Sequence, residues 1–121
     1  GVGMFFSSAA QDSGTVFELR MYTATEGKLD NLHVRFRDHT TRLFRKHGIE
    51  VVGYWTLTSE EERDLVYILE HQSQAAANAS WRAFDQDPEW QEVLAASNAN
   101  GSIVSSSERH YMVATDYSPL R

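Results

Sequence analysis

Cysteine is missing from this 121-residue chain. Its absence excludes disulfides, thiolate metal sites and a cysteine nucleophile, and fits a reducing or an oxidising compartment equally. Positive charge is also scarce: 11 Lys and Arg stand against 17 Asp and Glu, a formal charge of −6. No Lys/Arg stripe with interleaved aromatics occurs, so phosphate-backbone binding lacks its electrostatic source and nucleic acid is not an expected partner. No apolar run approaches the length of a membrane-spanning helix. With two prolines and seven glycines, nothing resembling a linker, repeat or low-complexity block divides the sequence.

Chemical motifs are sparse too. No HxH, HExxH or carboxylate cluster at ligand spacing appears, and His33 and His39, six apart, face different parts of a helix. Ser105, Ser106 and Ser107 run along a strand without the GxSxG turn that exposes a nucleophile. No Gly-rich loop is present to cradle phosphate. Neither a metal nor a cofactor is expected.

What is present is an ordinary globular composition, 41% hydrophobic and 23% charged. A chain of this length supports one core and buries roughly two-thirds of its unfolded surface. Val16 to Tyr22 alternates, with Phe17, Leu19 and Met21 against Glu18, Arg20 and Tyr22, as a strand does. From Lys28 to His47, Leu29, Leu32, Phe36, Leu43 and Phe44 recur at helical spacing, and Gly48 supplies the stop. Ile49 to Thr58 and Leu65 to His71 read as a β-hairpin across the acidic turn Ser59 to Asp64. Ser73 caps a helix with Ala77, Trp81 and Phe84 on one face, and Asp87-Pro88 starts another that runs to about Ser97. Val104 to Ala114 is the last strand.

The order βαββαβ predicts an α+β, ferredoxin-like domain: a four-stranded antiparallel sheet, first and third strands central, with helices on one face. The uncovered face, expected to show Tyr, Val, Ile and Thr, calls for a partner, and a second copy of the chain is the simplest closed solution. The domain spans residues 16–121. Residues 1–15 are expected to be a flexible leader or the remnant of a signal segment, since Val2, Met4, Phe5 and Phe6 run into Ser7, Ser8, Ala9 and Ala10 without a basic start. A cytoplasmic location is favoured, with export as the alternative.

Six segments in order, Phe17 to Tyr22, Phe36 with His39 ahead of His47-Gly48, Gly53-Tyr54-Trp55, Trp81 to Phe84, Asp87 to Trp90 and Thr115 to Pro119, make the chain resemble a NIPSNAP domain from Val16 onward. The resemblance implies a dimeric α/β barrel in which two ferredoxin-like protomers pack sheet to sheet. Related barrels include cofactor-independent monooxygenases, haem-degrading enzymes, isomerases and ligand binders, so fold alone does not choose a function. It also implies a ligand cavity between the long helix and the sheet.

That cavity directs attention to His39 and His47, placed by helical spacing near Leu32, Phe36 and Leu43, with His39 the candidate catalytic base. Either could instead be a satisfied structural histidine, His47 at the helix end above all. Tyr22, Trp55 and Tyr67 are candidate ligand-binding residues, or core filler. Glu18, Arg20, Glu70, Glu108 and Arg109, charged residues inside strands, are expected to pair at or near the dimer seam. The leading expectation is a homodimer that binds a small apolar or aromatic molecule between helices and sheet. The alternatives are a cofactor-independent monooxygenase or isomerase, and a protein-interaction module presenting Arg35, Arg42 and Lys46 on its outer helical surface.

Overall fold

The computed structural model describes residues 14–59 and 64–121. The expected leader and most of the hairpin turn lie outside the described residues. The elements are β1 (Val16–Ala24), α1 (Leu29–Arg35), a π-helical turn π1 (Phe36–Thr40), α2 (Thr41–Lys46), β2 (Glu50–Thr56), β3 (Asp64–His71), α3 (Gln74–Gln86), α4 (Pro88–Ser97) and β4 (Val104–Met112). All strand pairs are antiparallel, in the order β2-β3-β1-β4. The βαββαβ layout and the central first and third strands are as the patterning predicts. The two edge strands are shorter, β2 ending at Thr56 rather than Thr58 and β4 at Met112 rather than Ala114.

Local chemistry explains the element ends. The Ser73 hydroxyl accepts from the Ala76 amide at 3.0 Å, and the Asp87 carboxylate from the Glu89 amide at 2.8 Å, satisfying amides that have no carbonyl within their helices. Pro88 occupies the first position of α4, where its missing N–H costs nothing. Gly48 takes φ +79°, a conformation that reverses the chain after α2 and that a side chain would strain.

The run Leu29 to Lys46 is helical throughout, but Phe36 to Thr40 widen into a π turn, with the Thr40 hydroxyl donating to the Arg35 carbonyl at 3.3 Å. One extra residue in a turn shifts the phase of everything before it relative to everything after. Leu29, Leu32, Phe36, Thr40, Leu43 and Phe44 are thereby all buried, and so is Arg35, 6% exposed. Arg35 is therefore not part of an outer basic surface. Nor are Arg42 and Lys46 unpartnered there, since they pair with Glu89 and Asp87, both at 2.8 Å.

The largest departure from the patterning is which face of β1 turns inward. Glu18, Arg20 and Tyr22 face the helices, sharing that side with Leu65, Tyr67, Leu69 and His71 of β3. Leu19 and Met21 lie on the other side with Val66, Ile68, the half-exposed Trp55 and Met112. The open face is thus mainly aliphatic and carries no Tyr; Tyr22, Tyr54 and Tyr67 are inside. Polar groups go in because each finds a partner there, and apolar groups face out where no helix covers them. Among the described residues no helix is long and apolar enough to cross a membrane.

The cap and the core make distinct claims on stability. Ser73→Ala should lower unfolding free energy by about 1 kcal/mol, and Phe44→Ala, which empties the centre of the core, by about 3–5 kcal/mol. Urea titrations of both variants check the ratio.

Candidate functional site

The space between helices and sheet is filled by a stack of rings. Phe36 lies 5.9 Å from Tyr22, 5.4 Å from Tyr54 and 5.2 Å from Tyr67, centroid to centroid. Phe44, Phe84, Trp81 and Trp90 continue the stack beneath α3 and α4. The Tyr67 hydroxyl donates to that of Tyr22 at 3.0 Å, and Arg20 donates to the same Tyr22 oxygen at 3.0 Å. Burial pushes the Tyr67 phenol well above its ordinary value and keeps it neutral. Room for a ligand lies at the margins of this stack, not in its middle.

Beside the rings sits a carboxylate with no exposure. One Glu18 oxygen accepts from His71 Nε2 (2.8 Å) and Trp81 Nε1 (2.7 Å), the other from Arg109 Nε (2.8 Å) and Arg20 Nη1 (3.2 Å). Arg20 and Arg109 both stack on the Trp81 ring, 5.1 Å from its centroid. The pairs expected at the dimer seam therefore lie on the helix side for Glu18, Arg20 and Arg109, because a buried carboxylate needs donors on every oxygen and the helices supply Trp81. Glu70 and Glu108 remain on the open face.

Several hollows border the filled interior among the described residues, one of about 200 Å³ lying between Asp64 and Glu108 at the β3–β1–β4 end. A cleft of about 390 Å³ opens between the helix and the outer part of the sheet, lined by His33, Phe36, Arg37 and Thr41 on one wall and Tyr54, Trp55, Thr56 and Leu65 on the other. Within it the Thr41 and Tyr54 hydroxyls bond to each other at 2.7 Å. A groove of about 600 Å³ runs between α1/π1 and α4, with Val34, Val93 and Ala96 as its apolar walls and Asp30, Arg35, His39 and Glu92 as its charged or polar ones. A smaller hollow of about 190 Å³ lies on the inner side of Arg35, next to Tyr22 and β4.

The five expected site residues do not converge. Tyr22 and Tyr67 touch, as a hydrogen-bonded, edge-to-face pair inside the ring stack. Trp55 places its indole across Gly53 on the open face of the sheet, where a Cβ on Gly53 would approach it to 2.7 Å, and only borders the cleft. His39 looks into the groove between helices rather than toward Leu32 and Leu43, its Nδ1 covered and without a partner among the described residues. His47 bonds the Asp87 carboxylate at 2.6 Å and so ties the end of α2 to the α3–α4 junction. Lys46 and His47 together hold that carboxylate below its ordinary value.

The sequence marks none of His33, Thr41 and Tyr54, which line the cleft, as a ligand-binding residue, and it puts Arg35 on the outer helical surface. His33, Thr41 and Tyr54 carry a readable signal, a polar strip on the helix beside an aromatic on an adjacent strand. Arg35 does not, because its burial depends on the π turn. No group of three His, Asp or Glu among the described residues is placed to hold a metal ion.

The NIPSNAP family model matches residues 17–119. A NIPSNAP family protein of Agrobacterium tumefaciens strain C58 superposes with a TM-score of 0.78 at 20% identity, over 88% of this chain and 99% of that one. An uncharacterized NIPSNAP domain protein of Burkholderia xenovorans gives 0.75 at 19%, over 86% and 98%. SnoaB of Streptomyces nogalater, a cofactor-independent oxygenase, gives 0.54 at 19%, over 87% and 97%. At these identities the likeness is one of fold. No curated protein matches the chain.

The Glu18 cluster generates a pH test. Burial alone would raise its carboxyl, but His71, Trp81, Arg109 and Arg20 outweigh burial and hold it below the ordinary 4.5. A depressed value means stabilisation that is complete above the unfolded-state value and lost as pH falls through it toward the folded one. Glu18→Gln should cost on the order of 2–4 kcal/mol near neutrality. The gap from the unsubstituted protein should narrow as pH falls below about 4.5, measured by urea unfolding across the acid range. A gap that stays constant with pH contradicts the assignment.

Proposed function

This chain belongs to the NIPSNAP family, and from that footing we propose that it acts as a homodimer binding a small apolar or aromatic molecule in the cleft between its first helix and the outer sheet. The observation that carries the reading is the cleft itself, about 390 Å³ with Phe36, Leu65 and Tyr54 as apolar surface. Small-ligand sites of this size pair such walls with a few polar groups that fix orientation. Here those groups are the Thr41–Tyr54 hydroxyl pair, His33 and Arg37, and the two basic side chains favour a ligand with an acidic or enolisable substituent.

The homodimer follows from the open face. Leu19, Met21, Val66, Ile68 and Trp55 form an apolar surface on the side of the sheet away from the helices, and an identical face buries it with two-fold symmetry. Light scattering should give twice the chain mass, and Ile68→Glu, which sets like charges face to face, should give a folded monomer. A wild-type monomer at micromolar concentration contradicts the dimer.

For the cleft, 8-anilinonaphthalene-1-sulfonate serves as an aromatic anionic probe. Filling the cleft by Thr56→Trp, on an exposed edge position, should weaken its binding about tenfold, a loss of about 1.4 kcal/mol, with circular dichroism unchanged. Equal binding by the variant rules the cleft out.

A second reading, cofactor-independent oxygenation, is favoured by His33, the imidazole that lines this cleft. His33 is placed to accept a proton from an enolisable ligand, whereas His39 faces the helix–helix groove. His33→Ala would then abolish oxygen uptake even when the ligand is raised to saturation. Unchanged uptake by that variant counts against oxygenation.

A further inference from the structure

We propose that the hollow on the inner side of Arg35 is a second binding site, separate from the cleft above, and that it takes a small organic carboxylate.

The first observation is the state of Arg35. It is 6% exposed, yet no carboxylate among the described residues lies within ion-pair distance of it. Its Nη1 donates to the Ser97 hydroxyl at 3.0 Å, its guanidinium carbon sits 5.5 Å from the Trp90 ring centroid, and its buried Nε has no partner among the described residues. A guanidinium removed from water without a counterion carries its desolvation penalty uncompensated until an anion meets it. Arg20, almost as buried, shows the usual remedy in the same protein, a pair with Glu18.

The second observation is the lining. Besides Arg35, the hollow is bordered by Tyr22, Asn98, Ser102 and Ser107 as polar groups, the Ser102 hydroxyl already donating to the Val104 carbonyl at 2.8 Å, and by Trp90, Leu94 and Val104 as apolar wall; no acidic residue lines it, in a chain with a net charge of −6. The polar groups have donors to spare. The Tyr22 oxygen already accepts from Tyr67 and Arg20, which leaves its own proton without an acceptor among the described residues. The Asn98 side-chain oxygen accepts from the Ile103 amide, so its NH₂ group is what remains to offer. Asp30 and Glu92, which share the larger groove with Arg35, do not line this hollow.

The third is the match of charge and size. A planar guanidinium fork meets a carboxylate with two parallel hydrogen bonds, and a single positive charge balances a single negative one, whereas a phosphate dianion would remain half-neutralised. A volume of about 190 Å³ admits a carboxylate with a short tail, and Trp90 and Leu94 give that tail an apolar wall.

The test uses the whole protein, with sodium butyrate and benzoate as probes, butyramide and benzamide as their uncharged counterparts, and sodium chloride or phosphate at matched ionic strength. The carboxylates should raise Tm and move the Arg35 Nε–H resonance, and the amides and chloride should do neither. Arg35→Met removes an unpaired buried charge at similar volume, so it should fold at least as stably as the wild type and lose carboxylate affinity about tenfold or more. Ser107→Leu, on the outer strand, should block the hollow with the same loss and stands in if Arg35→Met does not fold. Thr56→Trp, which fills the other cleft, should leave the carboxylate response intact. A wild-type response to butyrate no greater than to chloride overturns the site. So does a full response in folded Arg35→Met, a loss of response in Thr56→Trp, or a larger shift with phosphate than with either carboxylate.

Discussion

The Glu18 carboxylate is the contact on which the rest of the architecture depends. It stands on β1 and accepts from β3 through His71, from β4 through Arg109, from its own strand through Arg20 and from α3 through Trp81. A carboxylate at zero exposure is tolerable only when each oxygen is fully bonded, and here each has two donors. Once Glu18 points at the helices, the pleat sends Arg20 and Tyr22 the same way and Leu19 and Met21 to the opposite face. The apolar open face that asks for a second protomer is thus the counterpart of a buried charge. Register, helix placement and the apolar open face share one cause.

Tyr22 and Arg20 link that cluster to the aromatic stack. Both hydroxyls of the Tyr22–Tyr67 pair lie within the interior, and their ring faces pack on Phe36. With the space under the helices occupied by packed rings, open space is confined to the border of the domain, where one wall is helix and the other an outer strand. The cleft beside β2 and the hollow beside β4 occupy the two opposite flanks of the sheet.

The π turn decides what those flanks contain. By adding a residue between Phe36 and Thr40 it keeps both halves of the helix against the sheet, turns Arg35 inward and leaves His39 facing α4. Arg35 so joins Arg20 of β1 as a guanidinium withdrawn from solvent, and the two differ in kind. Arg20 is neutralised by Glu18, while Arg35 rests on a ring face and a serine hydroxyl. That contrast separates a buried charge with its counterion from one without among the described residues.

Much of the scaffold was legible in the chain. Period-two runs, helical stripes, the Ser73 and Asp87 caps and the Gly48 stop set the order βαββαβ, and the family likeness rested on short segments that recur in that order. These are local signals, expressed within one or two turns of the residues that carry them, so sequence by itself determined element order, sheet topology and family. Tertiary structure alone decided which side of β1 faces inward, that Arg35 is buried, that His39 and His47 stand apart, and that the open hollows flank the rings. Each of those rests on partners 40 to 91 residues away, such as His47 with Asp87 or Glu18 with Arg109, or on a one-residue shift in helical phase. Hydrophobic alternation carries no information on either, because it records which residues share a side and not which side finds its hydrogen bonds.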